Sequence, residues 1–475
     1  MKRYEALASE IENSIHAGVL RRGDRLPSVR STSTSRGVSA STVFQAYYLL
    51  EARGVIRARQ RSGYFVNGSA RQEPPAADVP SRPSSTPVAV DVCARVFAIL
   101  ESTRSRDVVP FGSAFPSPLL FPLARLGRSM AQSAKTFEPW ATVDHLTPGN
   151  PELRRQIALR YLADGMQVHM DEIVITNGAL EALNLCLQGV TRPGDAVIVE
   201  CPTFYGALQA LENQGLRAIQ VPTCPKGGID LPSLEQTIEQ HRPSACWLMP
   251  NFQNPLGTLM DDEKKKALVA MLTRHDIALI EDDVYAELYF GDKRPLPAKA
   301  FDTAGIVMHC SSFSKCLAPG YRIGWAAPGR YVRQVVQKKL ITTLTTSAPA
   351  QGGLANYLEL GGYDKHLRKL RQTLAEQHRV FSQAVGHYFP PGTRATRPQG
   401  GYFLWVELPE GVDAMQVHER ALARNISVAP GPIFSASHAF KNCIRLNFGH
   451  PWTDDSERAM ATLGKLVASS APITI

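Results

Sequence analysis

Lys315 stands among Ser311, Ser312 and Ser314 on the run out of an apolar strand, and Arg322 follows seven residues later, ahead of Gly324 and Trp325. A lysine amine forms an imine with an aldehyde, while small hydroxyls and a guanidinium suit a phosphate dianion. These residue types fit a phosphate-bearing aldehyde cofactor. On spacing alone a surface Ser/Lys loop fits them as well, because short motifs also occur by chance.

A second chemistry sits at the other end of the chain. Residues 1–70 hold eleven Lys+Arg against five Asp+Glu, an excess of six within a net charge of +9 over 475 residues. A basic segment concentrated at one end points to an acidic polymer, with a merely solvated basic surface as the alternative. Hydrophobic residues at 44% and charged residues at 20% fit a soluble protein with a large core. No apolar run approaches a membrane span, and the start Met1-Lys2-Arg3-Tyr4-Glu5 is not secretory. Eight scattered cysteines read as reduced thiols of a cytoplasmic protein, with neither a disulfide frame nor a metal site expected.

The basic segment reads as helices followed by a hairpin. Tyr4, Leu7, Ala8, Ile11 and Ile15 fall at helical spacing before Gly18. Leu26-Pro27-Ser28-Val29-Arg30 opens a second helix with Pro27 in its first turn, although the run Ser31–Ser35 is a poor helix former. Ser39 caps a third helix over 40–53 with Val43, Tyr47 and Leu50 facing inward, and of Tyr47 and Tyr48 one is core and one exposed. Residues 55–59 alternate apolar and basic, a turn follows at 60–63, and Tyr64-Phe65-Val66 returns. A helix that begins with Ser39, Ser41 and Thr42 suits entry into a major groove, its positive end toward phosphates.

The Pro- and Ser-rich residues 69–92 read as a linker between a domain at 1–68 and one at 93–475. As a flexible coil it would span roughly 25–30 Å, enough to reach a partner subunit. Beyond it, strand candidates at 172–176, 196–200, 218–221, 245–249, 277–281, 306–310 and 324–327 alternate with helices. That is the pattern of an α/β fold with a mostly parallel sheet, followed by a smaller α/β subdomain with strands at 402–408 and 444–448.

Eight separated motifs carry a resemblance. They are Pro148-Gly149-Asn150-Pro151-Glu152-Leu153-Arg154, Thr176-Asn177-Gly178-Ala179, Pro202-Thr203-Phe204-Tyr205-Gly206 and Gln253-Asn254-Pro255-Leu256-Gly257. Glu281-Asp282-Asp283-Val284-Tyr285, Ser312-Phe313-Ser314-Lys315, Gly400-Gly401-Tyr402-Phe403-Leu404-Trp405 and Ile444-Arg445-Leu446 complete the series. From about residue 110 to about 465 the chain resembles fold-type I aminotransferases, which depend on pyridoxal 5'-phosphate (PLP). Residues 4–66, with Gly23-Asp24-Arg25-Leu26-Pro27-Ser28-Val29-Arg30, Gly37-Val38-Ser39 and Arg61-Ser62-Gly63-Tyr64-Phe65-Val66, resemble the winged helix-turn-helix of GntR-type regulators.

The resemblance implies a role for each matching residue. Lys315 forms the Schiff base with PLP, Asp282 faces the pyridine nitrogen, and Tyr285 and Asn254 bond the ring's phenolic oxygen. Phe204 stacks on the ring. Gly178, Ala179 and Leu180 offer backbone N–H groups to the phosphate, joined by Ser312, Ser314 and Arg322. Arg445 clamps a substrate or effector carboxylate. On the DNA side the positions are Arg30, Ser39, Ser41, Thr42, Arg61 and Gly63, with Arg25, Arg57 and Arg59 as further phosphate contacts.

Four departures stand out. Leu180 replaces a polar side chain in the phosphate turn, and Asp144 stands where many aminotransferases have a tyrosine. Ala40 stands where many relatives of the winged helix have an arginine, and Phe44 where others have a polar reader.

The domain order resembles the MocR group of bacterial regulators. It implies a homodimeric, cytoplasmic, PLP-binding regulator of transcription that binds double-stranded DNA and senses PLP or a small amino compound through Lys315. A working aminotransferase is the alternative, since Lys315, Asp282, Tyr285, Asn254 and Arg445 are all present. Another PLP reaction, such as β-elimination or decarboxylation, is the third reading.

Overall fold

The computed structural model describes residues 3–17, 19–21, 23–52, 54–59, 62–66, 73–102, 105–135, 138–144 and 146–470. Gly18, Arg53 and Arg61 of the expectations above lie outside the described residues, as do the side chains of Arg59 and Asp144.

The first unit is α1 (Arg3–His16), α2 (Val29–Arg36), α3 (Ala40–Ala52) and the antiparallel wing β1 (Ile56–Arg59) and β2 (Gly63–Val66). Leu7, Ile11, Ile15, Leu26, Val43, Tyr47 and Leu50 make its core. The second helix starts at Val29, two residues later than Pro27 suggests. Ser28 is its cap: its hydroxyl accepts from the Ser31 N–H at 3.1 Å, satisfying a free helical donor as a proline ring cannot.

The Ser/Thr-rich sequence of α2 is held helical by partners that propensity does not count. Tyr47 donates its hydroxyl proton to the Pro27 carbonyl at 2.8 Å, and the Thr32 hydroxyl lies 2.7 Å from the Tyr47 oxygen. Ser33 bonds the Val38 carbonyl at 2.6 Å, and Gly37 closes the helix at φ 61°. Tyr47 is thus the core tyrosine and Tyr48 the exposed one.

Residues 73–91 depart from the expectation of a free coil. They run along the large domain as a strap. Ala77 donates to the Ala395 carbonyl at 2.9 Å and Ala395 to that of Pro75 at 3.0 Å. Thr223 donates to the Ser81 hydroxyl at 3.0 Å, Lys226 pairs with Asp78 at 2.8 Å and Arg397 with Glu73 at 2.9 Å. Val88–Ala89 (β3) then adds an antiparallel edge strand to the main sheet. Prolines keep this segment extended, and an extended chain can satisfy its backbone on a neighbouring surface.

The main sheet contains β3, β4 (Val174–Thr176), β5 (Ala196–Cys201), β6 (Arg217–Cys224), β7 (Gly228–Ile229), β8 (Ala245–Leu248), β9 (Ala278–Asp282), β10 (Val307–Ser312) and β11 (Gly324–Ala327). The order is β3-β6-β5-β8-β9-β10-β11-β4, with β7 on β6. The pairings from β6 to β10 are parallel, while β11 runs antiparallel to both its neighbours. Ala196–Cys201 is buried along its whole length because both sheet faces are covered, and it is apolar but for Glu200, which accepts from the Met249 N–H at 2.9 Å. The expected strand at 172–176 begins only at Val174, because Met170–Glu172 forms a 3-10 turn.

Four antiparallel strands make the smaller sheet: β12 (Arg394–Ala395), β13 (Phe403–Glu407), β14 (Ala429–Pro430) and β15 (Cys443–Asn447), ordered β12-β13-β15-β14.

Replacing Tyr47 by Phe leaves the Thr32 hydroxyl and the Pro27 carbonyl without this partner. The first unit should lose about 1–2 kcal/mol, read as faster hydrogen exchange across 29–66 of the full chain with the large domain unaffected.

Candidate cofactor site and DNA-facing unit

The candidate residues converge beyond the C-terminal ends of the parallel strands, where α/β sheets place ligands. Asp282 ends β9 and Tyr285 follows it. Asn254 lies in the loop after β8, and Phe204 caps the helix that follows β5. Lys315 sits in the turn between β10 and β11, and the antiparallel pairing Ser312↔Gly324 folds Arg322 back beside it. Arg445 arrives from β15 of the smaller sheet. Lys315, Asp282, Tyr285, Phe204, Ala179, Leu180, Ser312, Ser314 and Arg322 all line one cavity of about 740 Å³. Asn254, Arg445 and Gly178 are not among its lining residues. Asn254 and Arg445 are buried behind it, bonded to one another, and Gly178 caps the helix that opens on Ala179.

Three unpartnered polar atoms mark what the site can receive. Asp282 is 1% exposed, and its Oδ1 accepts no hydrogen bond. The Asn254 Nδ2 and Arg445 Nε donors are likewise buried without acceptors. Buried polar atoms are normally paired, so orphans of both kinds around one cavity call for a ligand with complementary groups.

A protonated pyridine nitrogen answers the Asp282 acceptor, and a phenolic oxygen answers the Asn254 donor. At the other end Gly178, at φ 82°, opens the helix Ala179–Val190 with no side-chain cap, which leaves N–H groups free for an anion. A Cβ on Gly178 would meet the Arg322 guanidinium at 2.4 Å, so only glycine lets that cation approach. Arg322 donates to the Asn177 carbonyl at 2.9 Å and to the Ser314 hydroxyl at 3.4 Å. The chain therefore fits PLP.

Burial governs the charges here. It pushes the Lys315 amine down to about 7, helped by Arg445 and Arg322 and opposed by Asp282. Burial also pushes the Asp282 carboxyl up to about 7, against the pull of Lys315. The Tyr285 phenol is raised and the Arg445 guanidinium lowered, each chiefly by burial.

Backbone carbonyls of residues 112–114, which carry no signature in the sequence, accept from both Lys315 and Arg445. Lys315 donates to the Ala114 carbonyl at 2.9 Å, with its amine 4.0 Å from the Phe115 ring centre. Arg445 donates to the carbonyls of Gly112 at 2.9 Å and Ser113 at 3.2 Å, and to Asn254 Oδ1 at 3.1 Å. None of these partners is a carboxylate, so no interior salt bridge holds Arg445 among the described residues. Tyr402 also donates to Ala114 at 3.1 Å. Its motif was visible in the sequence, but its partner was not.

On the first unit, Ser39 accepts from the Thr42 N–H at 3.2 Å, and its hydroxyl lies 2.9 Å from that of Ser41 and 2.8 Å from that of Thr42. Arg25, Arg30 and Arg57 are exposed. Gly63 stands at φ 93° with its missing Cβ 3.4 Å from Arg25 Nε.

Residues 142–463 match the family model for aminotransferase class I and II. The chain belongs to that family. Residues 3–66 match a second model, the bacterial regulatory proteins of the gntR family, which gives the aminotransferase-class domain a helix-turn-helix partner in the MocR order. Over 467 residues the chain is 49% identical to the uncharacterized HTH-type transcriptional regulator YdcR of Escherichia coli (strain K12), covering 98% of this chain and 99% of that one. It is 38% identical over 471 residues to YjiR of the same organism, also an uncharacterized HTH-type transcriptional regulator, with 98% and 99% covered. Among solved structures it is similar to LysN, the alpha-aminoadipate aminotransferase of Thermus thermophilus, complexed with N-(5'-phosphopyridoxyl)-L-leucine. The TM-score is 0.72 at 30% identity, covering 79% of this chain and 94% of that one. Among the described residues no helix is long and apolar enough to cross a membrane.

A depressed lysine is a nucleophile at lower pH than an exposed one. Acylation of Lys315 in cofactor-free full-length protein should rise with pH through a midpoint near 7, whereas exposed lysines rise near about 10. Peptide mass spectrometry after brief labelling checks it.

Proposed function

We propose that the protein is a PLP-binding, DNA-binding transcriptional regulator, homodimeric and cytoplasmic, whose large domain senses PLP or an amino compound. The observation that carries this reading is a basic gntR-family unit joined, in one chain, to a site whose orphaned polar atoms match PLP. A metabolic transaminase has no need of a DNA-binding unit. The reading divides the chain into a DNA-binding domain at 1–68, a connecting segment at 69–92 and a sensor at 93–475.

Bound PLP supplies an aldehyde that condenses with amines and a ring that draws electrons from them. The chain's residues do the rest. Lys315 offers a neutral amine near pH 7 and Asp282 holds a proton at the ring nitrogen. Asn254 and Tyr285 address the phenolic oxygen, and Phe204 covers a ring face. Gly178, Ala179 and Leu180, with Ser312, Ser314 and Arg322, hold the phosphate, although Leu180 adds no polar side chain to that turn. Arg445 receives the effector's carboxylate. An entering carboxylate competes with the neutral carbonyls of Gly112 and Ser113, and a charged bidentate partner displaces neutral ones. Displacing that segment gives the ligand a preference for one conformation, without which no ligand shifts an equilibrium.

The aminotransferase alternative keeps one observation in its favour: Lys315, Asp282, Tyr285, Asn254 and Arg445 gather at one site, so the groups for a half-transamination are present.

DNA binding by the full-length protein at one salt concentration tests the proposal, using its own upstream DNA and a scrambled control, each with and without PLP. Preference for the upstream DNA that changes with PLP is the expected result. Equal, weak binding to both DNAs, with steady-state transaminase turnover, would replace the regulator by the enzyme. Arg30→Ala should weaken binding to both DNAs alike and lower the salt slope by about one.

Sensing and cofactor binding should come apart at Arg445. Arg445→Gln should retain PLP, fixed to the Lys315 peptide by borohydride, yet weaken the spectral response to amino acids by about tenfold or more, the scale of a lost charge-assisted pair.

A further inference from the structure

The helix Ala40–Ala52 carries two stripes of opposite character. Val43, Ala46, Tyr47 and Leu50 are wholly buried and fix it to the domain. Ser41, Phe44, Gln45 and Tyr48 fall at i, i+3, i+4 and i+7 and are all exposed on another face. Phe44 is 56% exposed and Tyr48 68%. Two rings one turn apart, flanking a carboxamide, make a patch rather than a stray apolar residue. No side-chain hydrogen bond or ring contact ties Phe44, Gln45 or Tyr48 to another described residue, while the Ser41 hydroxyl is engaged with that of Ser39.

The stripe has no formal charge. Charge lies elsewhere on the domain, on the exposed Arg25, Arg30 and Arg57, so phosphate contacts and base contacts fall to different residues. A guanine edge is read best by Arg or Lys, and a cytosine amino group by a carboxylate; the stripe offers neither. An A·T pair is what its chemistry fits. Thymine presents a methyl group to an apolar side chain, and adenine presents an N6/N7 pair that a carboxamide bonds twice.

We propose that this stripe reads A·T base pairs in the major groove, with Phe44 against a thymine 5-methyl group and Gln45 on an adenine edge. The inference rests on the DNA-binding reading above and adds which bases are read. DNA is the occupant because the domain around the patch is basic and belongs to the gntR family. Replacement of a polar reader by Phe44 is then a change of target sequence, not a loss of reading.

The test selects sites from a random duplex pool with the full-length protein at fixed salt. Each thymine of the selected site is then replaced by deoxyuridine, which removes only the 5-methyl group. At one position per half-site the replacement should weaken wild-type binding about three- to tenfold, on the scale of one buried methyl contact. In Phe44→Ala the same replacement should change binding by less than about twofold, and Gln45→Ala should lose the preference for adenine nearby. The salt slope of Phe44→Ala should equal that of the wild type, because no phosphate contact is removed; a misfolded domain would lose it. A selected site insensitive to every deoxyuridine, or a Phe44→Ala protein equally sensitive, overturns the inference and leaves the regulator standing. Selection of no sequence at all overturns both.

Discussion

Two cations and a carboxylate are kept out of water in one cleft, and the large domain is arranged around that constraint. Lys315, Asp282 and Arg445 each face a desolvation cost that pushes them toward neutrality. Matching every charge with an opposite one would satisfy them, but it would also close the site to a charged ligand. The chain instead surrounds Arg445 with neutral carbonyls and the faces of Phe403 and Phe434, at 4.0 and 5.3 Å. Such partners stabilise a guanidinium without cancelling it, so a carboxylate still gains by arriving.

The adjacent acids Asp282 and Asp283 show how local surroundings divide similar groups. Asp283 accepts from Asn251 Nδ2 at 2.9 Å, lies 3.0 Å from His309 Nε2 and 3.5 Å from Arg294. The chain continues from His309 Nδ1 to the Tyr161 hydroxyl at 2.7 Å, which accepts from Trp325 Nε1 at 2.9 Å. Alternation along the chain sends one carboxylate into this network and the other toward the cavity with an oxygen unpaired. The network ties β9, β10 and β11 together behind the cavity, and so holds Asp282 and the Lys315 turn in fixed relation.

Much of this was legible in the sequence, because the buried parallel strands are largely apolar runs and the site motifs follow them. The helix opening at Gly178 and the residues of the Lys315 turn fell where expected for that reason. What escaped was carried by backbone or by distant partners. The Gly112–Phe115 carbonyls have no side-chain signature. The α2 helix contradicts its own Ser/Thr propensity because Tyr47, fifteen residues from Thr32, supplies a buried hydroxyl. The run 73–91 has a linker's composition, yet its prolines leave an extended chain whose backbone groups find partners on Ala395 and along Arg217–Cys224.

That strap has a geometric corollary. With Glu73 already anchored to Arg397, only six residues separate the last wing residue, Val66, from the large domain. Even drawn out fully, such a leash is about 25 Å long, less than the roughly 34 Å of one duplex turn. In a homodimer of the kind proposed, each reading helix would be confined to a small orbit around its anchor. Rotational phasing of two half-sites on the duplex would then matter as much as their sequence, and the operator would tolerate whole-turn insertions poorly and half-turn insertions least.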